Sequence, residues 1–310
     1  MSSDSKDPSR QSQGKINLFV NDETSPLEVV VLGTARDMGE PLDINPVSKF
    51  HMENGSYPTE AELKREIATF EKVLHDQGIQ VYRPETLKGV DQIFTRDIGF
   101  VIEDKFVVAN MLESVRQIEL PAIQYLLDQI NPDDILRAPA AARIEGGDVI
   151  LYGDHIFVGI SLRTNRAGYE FLKRAFPHKQ VHAIPLVTSD DPDEHVLHLD
   201  CTFQPVGREH AIIYHDGFRE KPEILDRLFP ADKQIEVTLD EKTRMFPNVF
   251  SIGPEKVVIE NSFSTLKTAL EARGFTVFGV DYTETSKLSG LLRCSTLPLR
   301  RTKTVEKAEG

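Results

Sequence analysis

Cys294, in the stretch Leu291-Leu292-Arg293-Cys294-Ser295-Thr296, is one of only two cysteines in the chain. Upstream stand a histidine, in His198-Leu199-Asp200, and two clusters with acids, Phe94-Thr95-Arg96-Asp97 and Ile144-Glu145-Gly146-Gly147-Asp148. A thiol, an imidazole and carboxylates scattered through a chain are the parts of nucleophilic covalent chemistry, because a fold brings together what the sequence separates. The bland reading of any free cysteine is a small buried apolar side chain. Cys201 is read that way here.

A thiolate is a strong nucleophile, and His198 can exchange protons with it or with a leaving group. A carboxylate such as Glu145 can orient the imidazole and stabilise its charged form. Asp97 and Asp200 are then left facing the reacting centre. Several buried acids are costly together unless a cation compensates them. A planar guanidinium fits, since its forked N–H groups pair bidentately with carboxylates. The implied electrophile is an amidine or guanidinium carbon, not a peptide carbonyl, which would call for oxyanion donors.

The elements that must position these groups repeat. Four stretches, starting at Ile98, Asp148, Phe203 and Asn248, read as apolar strand, tight polar turn and apolar strand, with starts 50, 55 and 45 residues apart. Short turns holding Gly, Asp, Glu or Pro between β-branched and aromatic runs predict hairpins, and the spacing predicts a repeated unit. Helical patterns follow at 120–129, with 134–138 a candidate extension, and at 165–176, 222–229 and 264–273. The last three precede strands at 181–186, 234–239 and 275–281. A fifth unit closes from the two ends: strand 28–33, a helix over 59–77 opened by the capping box Thr59 and Glu62, strand 79–83, and a strand over 294–299. Each polar cluster sits at the corresponding point of its own unit. That arrangement predicts one α/β domain of radial pseudo-symmetry, with the clusters meeting near its axis. The alternative, that Asp and Gly flank strands because turns prefer them, suits one cluster better than four.

The chain has 310 residues, 40% hydrophobic and 27% charged, with a net charge of −13. That charge argues against nucleic acid as a partner, since phosphate neutralisation needs a basic face. No apolar run approaches a membrane span and no secretory pattern opens the chain, so a cytoplasmic location is expected. Two cysteines make no disulfide framework, and neither lies in a zinc-binding spacing. Residues 1–14 and 302–310 are expected as disordered or charged tails around a single domain over 15–301.

These motifs resemble the guanidino-group-modifying superfamily of arginine deiminases, dimethylarginine dimethylaminohydrolases and amidinotransferases. The resemblance runs from about Glu28 to Arg301. Phe94-Thr95-Arg96-Asp97 is similar to the deiminase and amidinotransferase acidic motif, and Glu145-Gly146-Gly147-Asp148 with Gly159 to Asn165 to deiminases and dimethylarginine hydrolases. His198-Leu199-Asp200 and Arg293-Cys294-Ser295-Thr296 complete the set. It implies a pentein, a five-bladed α/β propeller of ββαβ units with pseudo-five-fold symmetry. It implies that Cys294 attacks the guanidinium carbon to form a thiouronium, that His198 with Glu145 protonates the departing amine and then activates water, and that Asp97 and Asp200 clamp the guanidinium. Arg163 stands where the family often places a cation for the substrate carboxylate, or is an exposed strand-end arginine. Asp148 is either a substrate contact or a strand cap, and Asn248 matches a family position read as structural. Gly146 and Gly147 are read as a tight turn.

Two features point in different directions. Asp200, an acid two residues after the histidine, is atypical of dimethylarginine hydrolases and favours unsubstituted N–H groups. The compact length is atypical of bacterial deiminases, while Asn248-Val249 and Arg300-Arg301 resemble amidinotransferases. The leading expectation is a hydrolase of L-arginine or a derivative, with no cofactor and no metal. The alternatives are an amidinotransferase and, remotely, a non-catalytic pentein binding protein. A homodimer is compatible with such an enzyme.

Overall fold

The computed structural model describes residues 16–303. The tail expected over 1–14, and residues 304–310 of the one expected over 302–310, lie outside the described residues.

The described strands form five separate three-stranded sheets, each an antiparallel pair, a hairpin in four of them, extended by a parallel third strand. In chain order, β1 (Leu27–Leu32) and β2 (Gln80–Tyr82) pair in parallel and await the last strand. The second sheet is β3 (Gly99–Ile102), β4 (Lys105–Val108) and β5 (Ile135–Arg137). The third is β6 (Val149–Tyr152), β7 (His155–Ile160) and β8 (Gln180–Pro185). The fourth is β9 (Phe203–Val206), β10 (His210–Ile213) and β11 (Gln234–Glu236). The fifth is β12 (Phe250–Gly253), β13 (Lys256–Glu260) and β14 (Thr276–Val280). β15 (Thr296–Arg301) then returns to pair antiparallel with β1.

All four expected hairpins are present. The turn between β6 and β7 needs a left-handed residue, which Gly153 supplies at φ 56°; in the β3–β4 turn Glu103 takes that conformation at φ 53°. The hairpin strands are apolar on both faces because both faces are covered: β3 is buried at every residue.

Helices fill the connections. α1 (Pro46–Glu53), which the sequence reading did not anticipate, follows β1 and is capped by Asn45, whose side chain accepts from Ser48 N. α2 (Glu60–Asp76) opens on the expected capping box of Thr59 and Glu62. Its buried Leu63, Ile67, Phe70 and Leu74 form one helical stripe, and the Phe70 ring meets Phe250 edge-on at 6.0 Å. Each such fully buried side chain contributes roughly 1.5–3 kcal/mol. The helix expected over 120–129 is broken: α3 (Ser114–Gln117) precedes it, a 3₁₀ turn holds Leu120–Ile123, and α4 is only Gln124–Leu127. The expected extension over 134–138 is instead β5, since Pro132 opens a 3₁₀ turn and Ile135 and Leu136 pair with β4. α5 (Arg166–Ala175), α6 (Glu223–Leu228), α7 (Leu239–Thr243) and α8 (Ser264–Glu271) complete the described helices used below; of these only α7 was not expected. No described helix is long and apolar enough to cross a membrane.

Candidate active site

The strand expected to start at Cys294 starts two residues later, at Thr296. Cys294 lies instead in the turn before β15, and that turn is braided to the stretch before β3. Arg96 N donates to Cys294 O at 3.0 Å, and Thr95 Oγ1 and Gly33 N donate to Ser295 O at 3.0 and 2.8 Å. Two clusters 200 residues apart in sequence are thereby one local structure.

The thiol is buried, with 2% of its residue surface exposed. Its Sγ receives the Asn248 side-chain N–H at 3.1 Å and lies 3.5 Å from Asp200 Oδ2. Burial, reinforced by the charges of Asp200 and Asp97, pushes the Cys294 thiol well above its ordinary range. The resting group is a neutral thiol.

His198 is fully buried, and its Nε2 meets Glu145 Oε2 at 2.8 Å. Burial opposes the charged ring, but the carboxylates of Asp97, Asp148 and Glu145 outweigh it and lift His198 to about 9. Burial likewise opposes the Glu145 carboxylate; its bond to His198, with the charges of His198, Arg163 and Arg116, holds it down at about 2. The pair is therefore an imidazolium and a carboxylate near neutral pH. The other ring nitrogen, Nδ1, stands 3.7 Å from Asp97 Oδ1, and neither atom has a hydrogen-bond partner. Gly147 makes this approach feasible: a Cβ there would come 2.6 Å from His198 Nδ1 and 2.9 Å from Asp97 Oδ1. At Gly146 a Cβ would meet Arg96 O at 2.0 Å. Both glycines lie in the expected tight turn, a 3₁₀ turn over Gly146–Asp148, but neither has a positive φ, so close approach is what demands glycine there.

Cys294, His198, Asp97 and Arg163 line one narrow cavity of about 20 Å³, room for little more than a water molecule. Asp200 and Asp148 lie behind the wall. Asp200 is paired with the fully buried Arg293 at 2.8 Å, and Arg293 is also held by Glu23 at 2.9 Å. Asp148 accepts from Ser161 Oγ at 2.7 Å and from Leu199 N at 3.0 Å, tying the β7 loop to the His198 turn. Burial pushes its carboxyl up to about 7. Arg163 is buried rather than an exposed strand-end residue. Its Nη2 donates to Ile44 O at 2.7 Å and its Nη1 to Glu145 Oε2 at 3.5 Å.

Other lining residues were not singled out from the sequence. Arg116, on α3, donates to Asp97 Oδ2 at 2.7 Å and grips Glu119 at 2.6 Å. Asp91 stands in the wall, and burial raises its carboxyl. Leu42, Ile44, Asn45 and Ser48 bring the segment around α1 over the cavity, with Tyr57 and Ser289 beside them. Arg116 lies in a connection without motif, and Asp91 six residues before Asp97 was the one signal available. Asp97, Glu145 and His198 offer ligand atoms within 4.8 Å of one another. The direct His198–Glu145 bond and the guanidinium on Asp97 suit a proton-transfer pair better than a metal centre.

Several known proteins are similar to this chain. Residues 47–301 match the family described as N,N dimethylarginine dimethylhydrolase, eukaryotic. The chain is 34% identical to an uncharacterized protein, YkgA, of Bacillus subtilis, over 68% of this chain and 70% of that one. It is 28% identical to an N(G),N(G)-dimethylarginine dimethylaminohydrolase of Streptomyces coelicolor, over 68% of this chain and 75% of the other. The solved structure of SxtG, an amidinotransferase from Microseira wollei, superposes with a TM-score of 0.78 at 21% identity, covering 93% of this chain and 98% of that one. That last likeness concerns the fold.

Proposed function

The chain belongs to the N,N dimethylarginine dimethylhydrolase family, and from that premise we propose that it hydrolyses the guanidinium group of L-arginine or an N-substituted arginine through a covalent intermediate on Cys294. The observation that carries the reading is the buried imidazole of His198, held by Glu145, with its free Nδ1 turned to Asp97 and to the same cavity as the Cys294 thiol. We read the five sheets as the blades of one pentein propeller over 15–301, which would bring the ends of the hairpins to a common axis. A cytoplasmic location and the absence of a cofactor belong to the same proposal.

The acids prepare the cavity for a cation. As a guanidinium enters, its charge offsets Asp97 and Asp200 and lowers the cost of ionising the thiol. Asp97 and Asp91 face its N–H groups, while Asp200, behind the wall and beside the sulfur, acts through its charge. Cys294 gives up its proton to solvent, and the sulfur adds to the guanidinium carbon. His198 gives its Nδ1 proton to the leaving nitrogen, the C–N bond breaks, and ammonia or an alkylamine departs from a thiouronium. The now neutral His198 takes a proton from water as the water oxygen adds to the same carbon. The C–S bond then breaks, the departing sulfur takes up the hydroxyl proton as the carbonyl forms, and a ureido product is freed with the neutral thiol restored. Arg163 is assigned to the substrate carboxylate, in exchange for its bond to Ile44 O. Asp148 acts through Leu199, by placing the His198 turn.

The test is mass spectrometry of products from purified protein with L-arginine, with dimethylarginine, and with arginine plus glycine. Citrulline without an acceptor supports the proposal, and the dimethylarginine lane chooses between the two hydrolase types. Ornithine formed only with glycine, alongside guanidinoacetate, would overturn it in favour of transfer.

A further inference from the structure

The sulfur of Cys294 is surrounded by acids, yet one neutral group holds it from several sides. Asn248 is fully buried between Met245 and β12. Its Nδ2 donates to Sγ at 3.1 Å and faces Asp200 O at 3.4 Å. Its Oδ1 accepts from Cys294 N at 3.1 Å and from Leu291 N at 3.2 Å, and its backbone carbonyl accepts from Arg293 N at 3.3 Å. The amide can sit only one way round. Rotated, its NH₂ would face two N–H donors and its oxygen would face a carbonyl and a lone pair of the sulfur.

We propose, resting on the reading of Cys294 as nucleophile, that Asn248 is the positioning residue of the thiolate. Its oxygen shapes the turn that carries the sulfur, and its N–H gives the sulfur a hydrogen-bond donor. The thiol proton points to Asp200 Oδ2, 3.5 Å away, which leaves a lone pair for the amide. When that proton departs, the amide bond becomes charge-assisted and strengthens. Only a side chain of this length carrying both atoms can serve the sulfur and the turn together. Aspartate has the shape without the donor, and serine is too short to span both.

The test compares Asn248→Asp and Asn248→Ser with the wild type by iodoacetamide alkylation of Cys294 across pH, read by peptide mass, together with kcat and KM. Hydrogen bonds to charged groups of this kind correspond to about a 10- to 100-fold effect on thiolate population. The expected result is that alkylation at a fixed pH slows by that factor in both variants and its midpoint moves to higher pH. The kcat should fall in parallel while KM stays within roughly threefold. Because serine adds no charge, a shift in that variant cannot be an effect of a new carboxylate. Wild-type alkylation midpoints in both variants, with only a lower melting temperature, would overturn the proposal. Alkylation needs no substrate. A wild type that turns over no guanidino compound would thus sink the proposed function while the Asn248 comparison still gives its answer.

Discussion

Arg116 Nη1 donates to Asp97 Oδ2 at 2.7 Å, and both side chains are almost fully buried. The acid expected to wait for a substrate cation thus already carries an internal one on one oxygen, and only Oδ1 is free for a ligand. Asp200 repeats the device with Arg293 at 2.8 Å. Paired this way, two carboxylates can be buried beside a thiol in a resting protein, and Asp97 keeps one oxygen turned to His198.

Removing Arg116 should therefore damage stability as well as activity. Arg116→Met leaves Asp97 and Glu119 buried without their partner, and breaking such a pair costs about 3–5 kcal/mol. Urea unfolding of the variant checks the figure. Arg116→Lys should recover only part of it, because an ammonium cannot reproduce the forked contacts to Asp97, Glu119 and Phe94 O.

Cys294→Ala should separate chemistry from folding. The change removes a small buried sulfur, so the fold should persist with a loss of about 1 kcal/mol or less. Turnover should drop by three orders of magnitude or more, roughly the loss seen when covalent nucleophiles are removed. Near wild-type turnover in this variant would end the covalent mechanism.

The His198–Glu145 pair sets a pH window. His198 is raised to about 9 in the folded protein, above its ordinary value near 6.5. The stability it contributes is fully present below about 6.5 and is lost as pH rises through about 9. Glu145 is depressed to about 2, so its contribution is present above about 4.5 and is lost as pH falls through about 2. Melting temperature measured against pH should fall on the alkaline side, and His198→Gln should flatten that limb. If the imidazolium is the acid for the leaving amine, kcat should fall over the same alkaline range.

Gly147→Ala tests the close packing at the reacting end. A methyl group 2.6 Å from His198 Nδ1 must displace the ring. The kcat should fall by about 100-fold, as expected for a misplacement near 1 Å. Iodoacetamide should still label Cys294 at the wild-type rate, since the turn that carries the sulfur is untouched.

Arg163→Ala should act on binding. The substitution removes the cation assigned to the substrate carboxylate and the bond to Ile44 O at 2.7 Å. KM should rise by about 10- to 100-fold, the loss expected for a charged hydrogen bond. A change confined to kcat would reassign the residue to holding Glu145.

Local sequence chemistry determined the repeated unit. Alternation of apolar runs with Gly, Asp and Glu turns made the four hairpins legible, and the capping box at Thr59 and Glu62 marked the start of α2. That Cys294, His198 and Glu145 would gather in one place was legible too, because each stood at the same point of its unit. Helix boundaries near 120–138 were not, since Pro121 and Pro132 cut the pattern and β5 exists only because β4 is there to pair with. Nor was the state of the acids. Arg116 and Arg293 find Asp97 and Asp200 through space, from connections whose residues show no periodicity. Whether a buried carboxylate awaits a ligand or is already paired depends on distances of a few ångströms, and those are settled only when the sheets pack. The same packing decides that Asn248 meets the sulfur, that Gly147 admits the imidazole, and that the segment around α1 covers the cavity.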